Sequence, residues 1–189
     1  MKKQESLDKR NLTELEGTVL GLIGVKGPCT PYVIRKEFKE SPTLYWNGSA
    51  GAIYPIIERL EQQKLISHVS TKDDLRGGKL YILTKIGKRT LKAWLYQPTS
   101  PLVIGTPPDA LRNRVELLAF LAPKVRKNFL DEVVLELENQ LQVFVRDCEE
   151  AQENNLFTFF SARGSLLHAQ ARLDWIREVI STLDKGIEN

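Results

Sequence analysis

The chain has 189 residues, 42% hydrophobic and 27% charged, enough for two small domains or one ordinary domain with a smaller one. Its two cysteines, Cys29 and Cys148, are far apart and outside any metal-ligand spacing, which excludes a zinc site and a disulfide framework and fits a reducing cytosol. The net charge of +3 is unevenly spread, with 17 Lys/Arg against 10 Asp/Glu in residues 1–97 and 10 against 14 in residues 98–189, so the first half is the one suited to a polyanion.

The polar start, Met1-Lys-Lys-Gln-Glu-Ser-Leu, lacks the apolar stretch of a signal peptide. No segment reaches the ~20 apolar residues of a membrane helix, so a cytoplasmic protein that does not enter a membrane is expected. The first helix should start near Leu12–Thr13, where Thr13 and Glu16 are spaced as a capping box. Leu15, Val19, Leu22 and Ile23 form its apolar stripe, and Gly24, Gly27 and Pro28 are expected to stop it. Thr30 followed by Pro31 is an N-cap and first-turn proline for a second helix with Val33, Ile34 and Phe38 inside. After the turn Trp46–Ser49, Ser49 should cap a third helix running to about Lys64, buried through Ile53, Ile56, Ile57 and Leu60.

Two β-prone stretches, Leu65–Thr71 and Lys79–Leu83, flank Lys72-Asp-Asp-Leu-Arg-Gly-Gly, which has the turn chemistry of a hairpin. Thr84 then caps a fourth helix through Gly87, Leu91, Trp94 and Leu95. Three helices, a hairpin with a basic tip and a closing helix predict a winged helix-turn-helix over residues 1–97. Four of the nine prolines fall in Gln97–Pro108, so residues 98–108 read as a linker through which no helix passes. Residues 109–189 read as a helical dimerisation and sensing domain. Leu111, Val115 and Leu118 line a short helix there, and Pro123 opens a long one with the stripe Leu130, Val134, Leu137, Leu141, Phe144, Cys148. A final helix over Ser165–Asp184 repeats it with Leu166, Ala169, Leu173, Ile176, Ile180 and Leu183. These are a/d positions of a coiled-coil-like seam. In so small a domain they are expected to bury against a second copy, with Leu166, Leu173, Ile176, Ile180 and Leu183 holding a homodimer; packing within one chain is the alternative. The fold class is mainly α with a small β-hairpin wing.

The run Trp46-Asn-Gly-Ser-Ala-Gly-Ala-Ile-Tyr-Pro-Ile-Ile-Glu-Arg-Leu-Glu61 resembles the third-helix signature of the PadR family of bacterial transcriptional regulators. Leu20-Gly-Leu-Ile-Gly-Val-Lys-Gly-Pro with Tyr32 is similar to that family's first helix junction, and Lys79-Leu-Tyr-Ile-Leu-Thr-Lys-Ile-Gly-Lys88 to its second wing strand and following helix. Ala52 stands where the family has Ser, Pro31 where it has Gly, and Gly77 and Gly78 where Pro and Arg are common. The resemblance implies a homodimer that binds double-stranded DNA, as a repressor in the first instance, at an inverted-repeat operator.

A recognition helix must bring its first turns into a major groove about 12 Å wide. Ser49, Ala50 and Ala52 allow close approach, and Tyr54 offers a flat ring and a hydroxyl. Tyr32 and Lys36 on the second helix, with Arg76 and Lys79 at the wing, are the expected phosphate partners. Trp94 and Trp175 are the candidate contacts for a small-molecule effector of unknown identity. His68 and His168 stand alone, so no metal is expected, nor any cofactor. Without a nucleophile–base pair or phosphate-cradling loop the chain is not expected to be an enzyme. Glu58 and the missing hydroxyl at Ala52 keep a second reading open, a winged-helix protein-interaction module that does not bind DNA.

Overall fold

The computed structural model describes residues 12–41, 49–69, 79–97, 101–106, 109–153 and 155–186, and the chain divides into two compact units, Met1–Gly105 and Thr106–Asn189. In the first unit, helix α1 spans Glu14–Lys26. The Thr13 hydroxyl accepts the Glu16 N–H at 3.2 Å, and the Glu16 carboxylate accepts the Thr13 N–H at 3.0 Å, closing the predicted capping box. The helix does not stop at Gly24, however. A Cβ there would lie 2.8 Å from Leu83 Cδ1, so Gly24 is present for close packing, and Gly27 is the C-cap. Gly17 serves likewise, since a Cβ would fall inside the Trp94 indole.

Helix α2, Pro31–Glu40, starts at the Thr30 cap, whose hydroxyl accepts the Val33 N–H at 3.4 Å. A 3-10 turn, Ala50–Ala52, leads into α3, Ile53–Gln62, which buries Ile53, Ile56, Ile57 and Leu60. Ser49 makes no side-chain cap bond: its backbone is already helical (φ −84°, ψ −7°), whereas a capping residue is extended. Strand β1, Ile66–Val69, pairs antiparallel with β2, Leu80–Leu83, in the register Ile66↔Leu83 and His68↔Tyr81. The wing tip predicted between them lies outside the described residues.

Helix α4, Lys85–Leu95, is capped by Thr84, whose hydroxyl accepts the Gly87 N–H at 2.9 Å and donates to the Lys64 carbonyl at 2.7 Å. The core of this unit is built on Val19, Leu20, Ile23, Ile34, Ile53, Ile57, Leu60 and Ile66, with Leu91 and Trp94 packed against it. One helical turn, α5 (Pro101–Ile104), interrupts the segment predicted to be free of helix. Pro101 is tolerated because the first turn of a helix needs no N–H from it.

In the second unit, Asp109 caps α6, Ala110–Glu116, accepting the Leu111 N–H at 2.9 Å, and binds Arg172 at 3.1 Å. Helix α7, Pro123–Gln152, has the predicted proline start. Helix α8, Leu156–Asp184, begins well before Ser165, because Asn155 caps it by accepting the Phe157 and Thr158 N–H groups. The seam assigned to a second copy is largely used within the chain. Leu173 and Ile176 are buried with Leu118, Leu130 and Leu137, and Ile180 and Leu183 pack against them. Two helices of 30 and 29 residues joined by a short connection share enough length to cover the stripe without a partner chain. Among the described residues, no helix is long and apolar enough to cross a membrane.

Candidate nucleic-acid interface

Helix α3 has one face wholly in the core, so Ala52, Tyr54 and Glu58 are left on the other. Tyr54 is 46% exposed and Tyr32, in the first turn of α2, 61%. A Cβ at Gly51 would meet nothing within 4 Å among the described residues, so on their side the start of the helix is open to an approaching surface. Ala50 is a correction. Expected on this face, it is buried in the core. Residues three apart eclipse in a 3-10 turn, which sets Ala50 in line with the buried Ile53. Ser49 is half-buried.

The expected cations are differently placed. Lys36 is exposed on α2, with Nζ 3.7 Å from Glu40. Arg76 lies outside the described residues. Lys79 precedes β2, and its Nζ is 3.6 Å from Glu61 Oε2. Arg59, which sequence reasoning passed over, is half-exposed on α3 and held by Glu16 at 3.2 Å. Trp94 and Trp175 are half-buried, each packed against the core of its own unit.

Glu61 was also missed. At the end of α3 its carboxylate accepts from His68 Nδ1 at 2.6 Å and from the Tyr81 hydroxyl at 3.1 Å, beside the Lys79 ammonium. The hydrogen bond from His68 is the main cause holding the Glu61 carboxyl below its usual range, with Tyr81 and Lys79 adding to it against the cost of burial. Burial, then the hydrogen bond to Glu61, pushes the Tyr81 phenol up to about 12. A raised phenol contributes stability that is complete below the ordinary value near 10 and is lost as pH rises through about 12. Phenolate absorbance should therefore show a late-titrating tyrosine that is absent in Tyr81→Phe. Loss in Tyr81→Phe of a tyrosine that titrates near pH 10, and not of a later one, would contradict it. Among the described residues no group of three His, Cys, Asp or Glu side chains is placed to hold a metal ion.

Residues 19–93 match the Transcriptional regulator PadR-like family. The chain is similar to the negative transcriptional regulator PadR of Bacillus subtilis (strain 168), 33% identical over 87 residues. That match covers 44% of this chain and spans about half, 47%, of the relative. The solved structure of Bacillus subtilis PadR in complex with operator DNA shares the fold at a TM-score of 0.77 and 20% identity, over 92% of this chain and 99% of that one. The same regulator in complex with p-coumaric acid matches at 0.73 and 20% identity, over 90% and 95%. Residues 19–93, a mainly helical unit with a two-stranded antiparallel wing, thus match the domain of the PadR-like family of transcriptional regulators.

Proposed function

We propose that the protein is a DNA-binding transcriptional regulator, acting as a homodimer on an inverted-repeat operator. The observation that carries this reading is the start of α3, where Gly51, Ala52 and Tyr54 are exposed while the opposite face is spent on the core. A helix with small residues at its exposed beginning can approach base edges closely. The operator complex of the Bacillus subtilis relative supports the same role, and that relative's being a negative regulator supports repression. Work on DNA supports a cytoplasmic location.

The homodimer needs a surface other than the buried seam. Leu156, Phe157, Phe160 and Leu167 are exposed along the first half of α8, an apolar set that a second copy would cover. Of the residues first assigned to the dimer, Leu166 is the one close to this set. The relative solved with p-coumaric acid supports a small-molecule ligand, and Trp94 and Trp175, each half-buried in its own unit, are offered as separate candidates for contact with one.

A salt titration on random duplexes and on duplexes selected by the protein from a random pool tests the reading. Each phosphate neutralised contributes about 0.9 to the slope of log affinity against log salt. Arg76→Ala or Lys79→Ala should flatten that slope by roughly two units in a dimer if each cation meets one phosphate, weakening both duplexes alike. Tyr54→Ala should instead narrow the gap between them, by about 1–3 kcal/mol if a base contact is lost. A wild-type protein that shows no salt-dependent binding to any duplex would leave the protein-interaction reading in its place.

A further inference from the structure

The Glu61 carboxylate gathers donors from both strands of the wing. It sits on the last turn of α3, the helix proposed to read DNA, and its side chain is 25% exposed. His68 belongs to β1 and Tyr81 to β2, and the two face each other across the ladder with their rings in an edge-on arrangement, centroids 6.3 Å apart. Lys79 enters from the residue just before β2, on the side of the wing tip. Among the described residues, further backbone bonds lie at the other end of the hairpin. There the Leu65 N–H reaches the Leu60 carbonyl at 3.0 Å, and the Thr84 N–H reaches the Leu65 carbonyl at 3.1 Å. Nearer the tip, Tyr81 of β2 is bridged to Cys29 by backbone hydrogen bonds of 2.8 and 3.2 Å, and Glu61 adds the tie from this end of the hairpin to α3.

A residue with this placement would be unexpected on electrostatic grounds alone. A carboxylate between a recognition helix and a wing cation repels phosphate and competes with it for Lys79. We infer that Glu61 is a positioning residue for DNA recognition: it ties the end of α3 to both wing strands, so that helix and wing meet the duplex as one body, and it aims Lys79. The inference rests on the DNA-binding reading. Wing and helix contact the same duplex, so the angle between them decides whether both sets of contacts form together. A carboxylate accepting two hydrogen bonds at 2.6 and 3.1 Å restricts that angle more than a lone ion pair would.

The sign of the effect separates positioning from charge. If Glu61 acts only as a negative charge near DNA, Glu61→Ala will strengthen binding to selected and random duplexes by the same factor. If it positions, Glu61→Ala will leave random-duplex affinity unchanged or higher while the ratio of selected to random affinity falls about tenfold, in the range for coupled neighbouring groups. Glu61→Gln keeps an acceptor for His68 and Tyr81 but not the charge, so it should restore most of the ratio while binding random duplex as the alanine variant does. Tyr81→Phe removes one tie with no change of charge at neutral pH. It should narrow the ratio in part at unchanged random affinity, and it decides the matter if Glu61→Ala does not fold. Thermal melts of each variant accompany the titrations. An unchanged ratio in Glu61→Ala, or equal weakening on both duplexes in step with a lower Tm, overturns the inference and leaves the DNA-binding reading standing. Wild-type protein that binds neither duplex overturns both.

Discussion

Gly87→Ala is expected to destabilise the first unit by about 3 kcal/mol or more, against the usual direction of such a change. Glycine to alanine inside a helix ordinarily gains up to about 1 kcal/mol. Here the added Cβ would overlap the Leu65 carbonyl oxygen and come within 2.9 Å of its carbon. The obstacle is backbone of a neighbouring element, not the end of a flexible side chain. Relief requires α4 to back away from Leu65, which loosens the Thr84 bonds to Lys64 and Leu65 and removes the helix cap with them. Urea melts followed by hydrogen exchange, unit by unit, measure the loss. Protection of residues 14–95 equal to wild type would show that the close approach of α4 to Leu65 is absent in solution.

Ile176→Asp should unfold the second unit and leave the first intact. Ile176 is fully buried among Leu130, Leu137 and Leu173, so an aspartate there is a carboxylate in an apolar core. The cost is on the order of 4 kcal/mol or more, comparable with the total stability of a small domain. Leu167→Asp, on the same helix but 53% exposed, should leave both units folded and separate any dimer that uses this face. Hydrogen exchange and light scattering on both variants distinguish the cases. A folded, monodisperse monomer from Ile176→Asp would return the seam to the interface between chains and overturn the intrachain packing described above.

What was legible in the sequence is what is decided within a few residues. Thr13 with Glu16, Thr30 with Pro31, and Thr84 with Gly87 mark helix starts because a cap satisfies N–H groups two or three residues away. The paired strands also follow from local pattern, and with the caps they were enough for the winged helix-turn-helix. Contacts between distant elements were not legible. Gly24 was taken for a stop because nothing nearby says that Leu83 and Leu91 press on it. Ala50 was misplaced because the 3-10 turn changes the phase from which its face was read. The early start of α8 was hidden by Phe157 and Phe160, which are exposed and break the apolar period. Glu61 depends on a strand register that brings His68 and Tyr81 together across 13 residues of chain, which no local pattern encodes.

The close fit of α1 against Trp94 and Leu83 bears on the order in which the first unit acquires structure. Gly17, Gly21 and Gly24 lie along one side of α1, and Gly17 and Gly24 have no room for a side chain because residues of β2 and α4 occupy the space. Each glycine costs an isolated helix about 1 kcal/mol relative to alanine, so a 13-residue segment with three of them has little helix content of its own. Helix α1 therefore waits for the indole supplied by Trp94, near the unit's far end. A nascent chain that has emerged only as far as the wing holds α1 as a frayed segment. The contacts that hold α1 are complete only once α4 brings Trp94 and Leu91 against it.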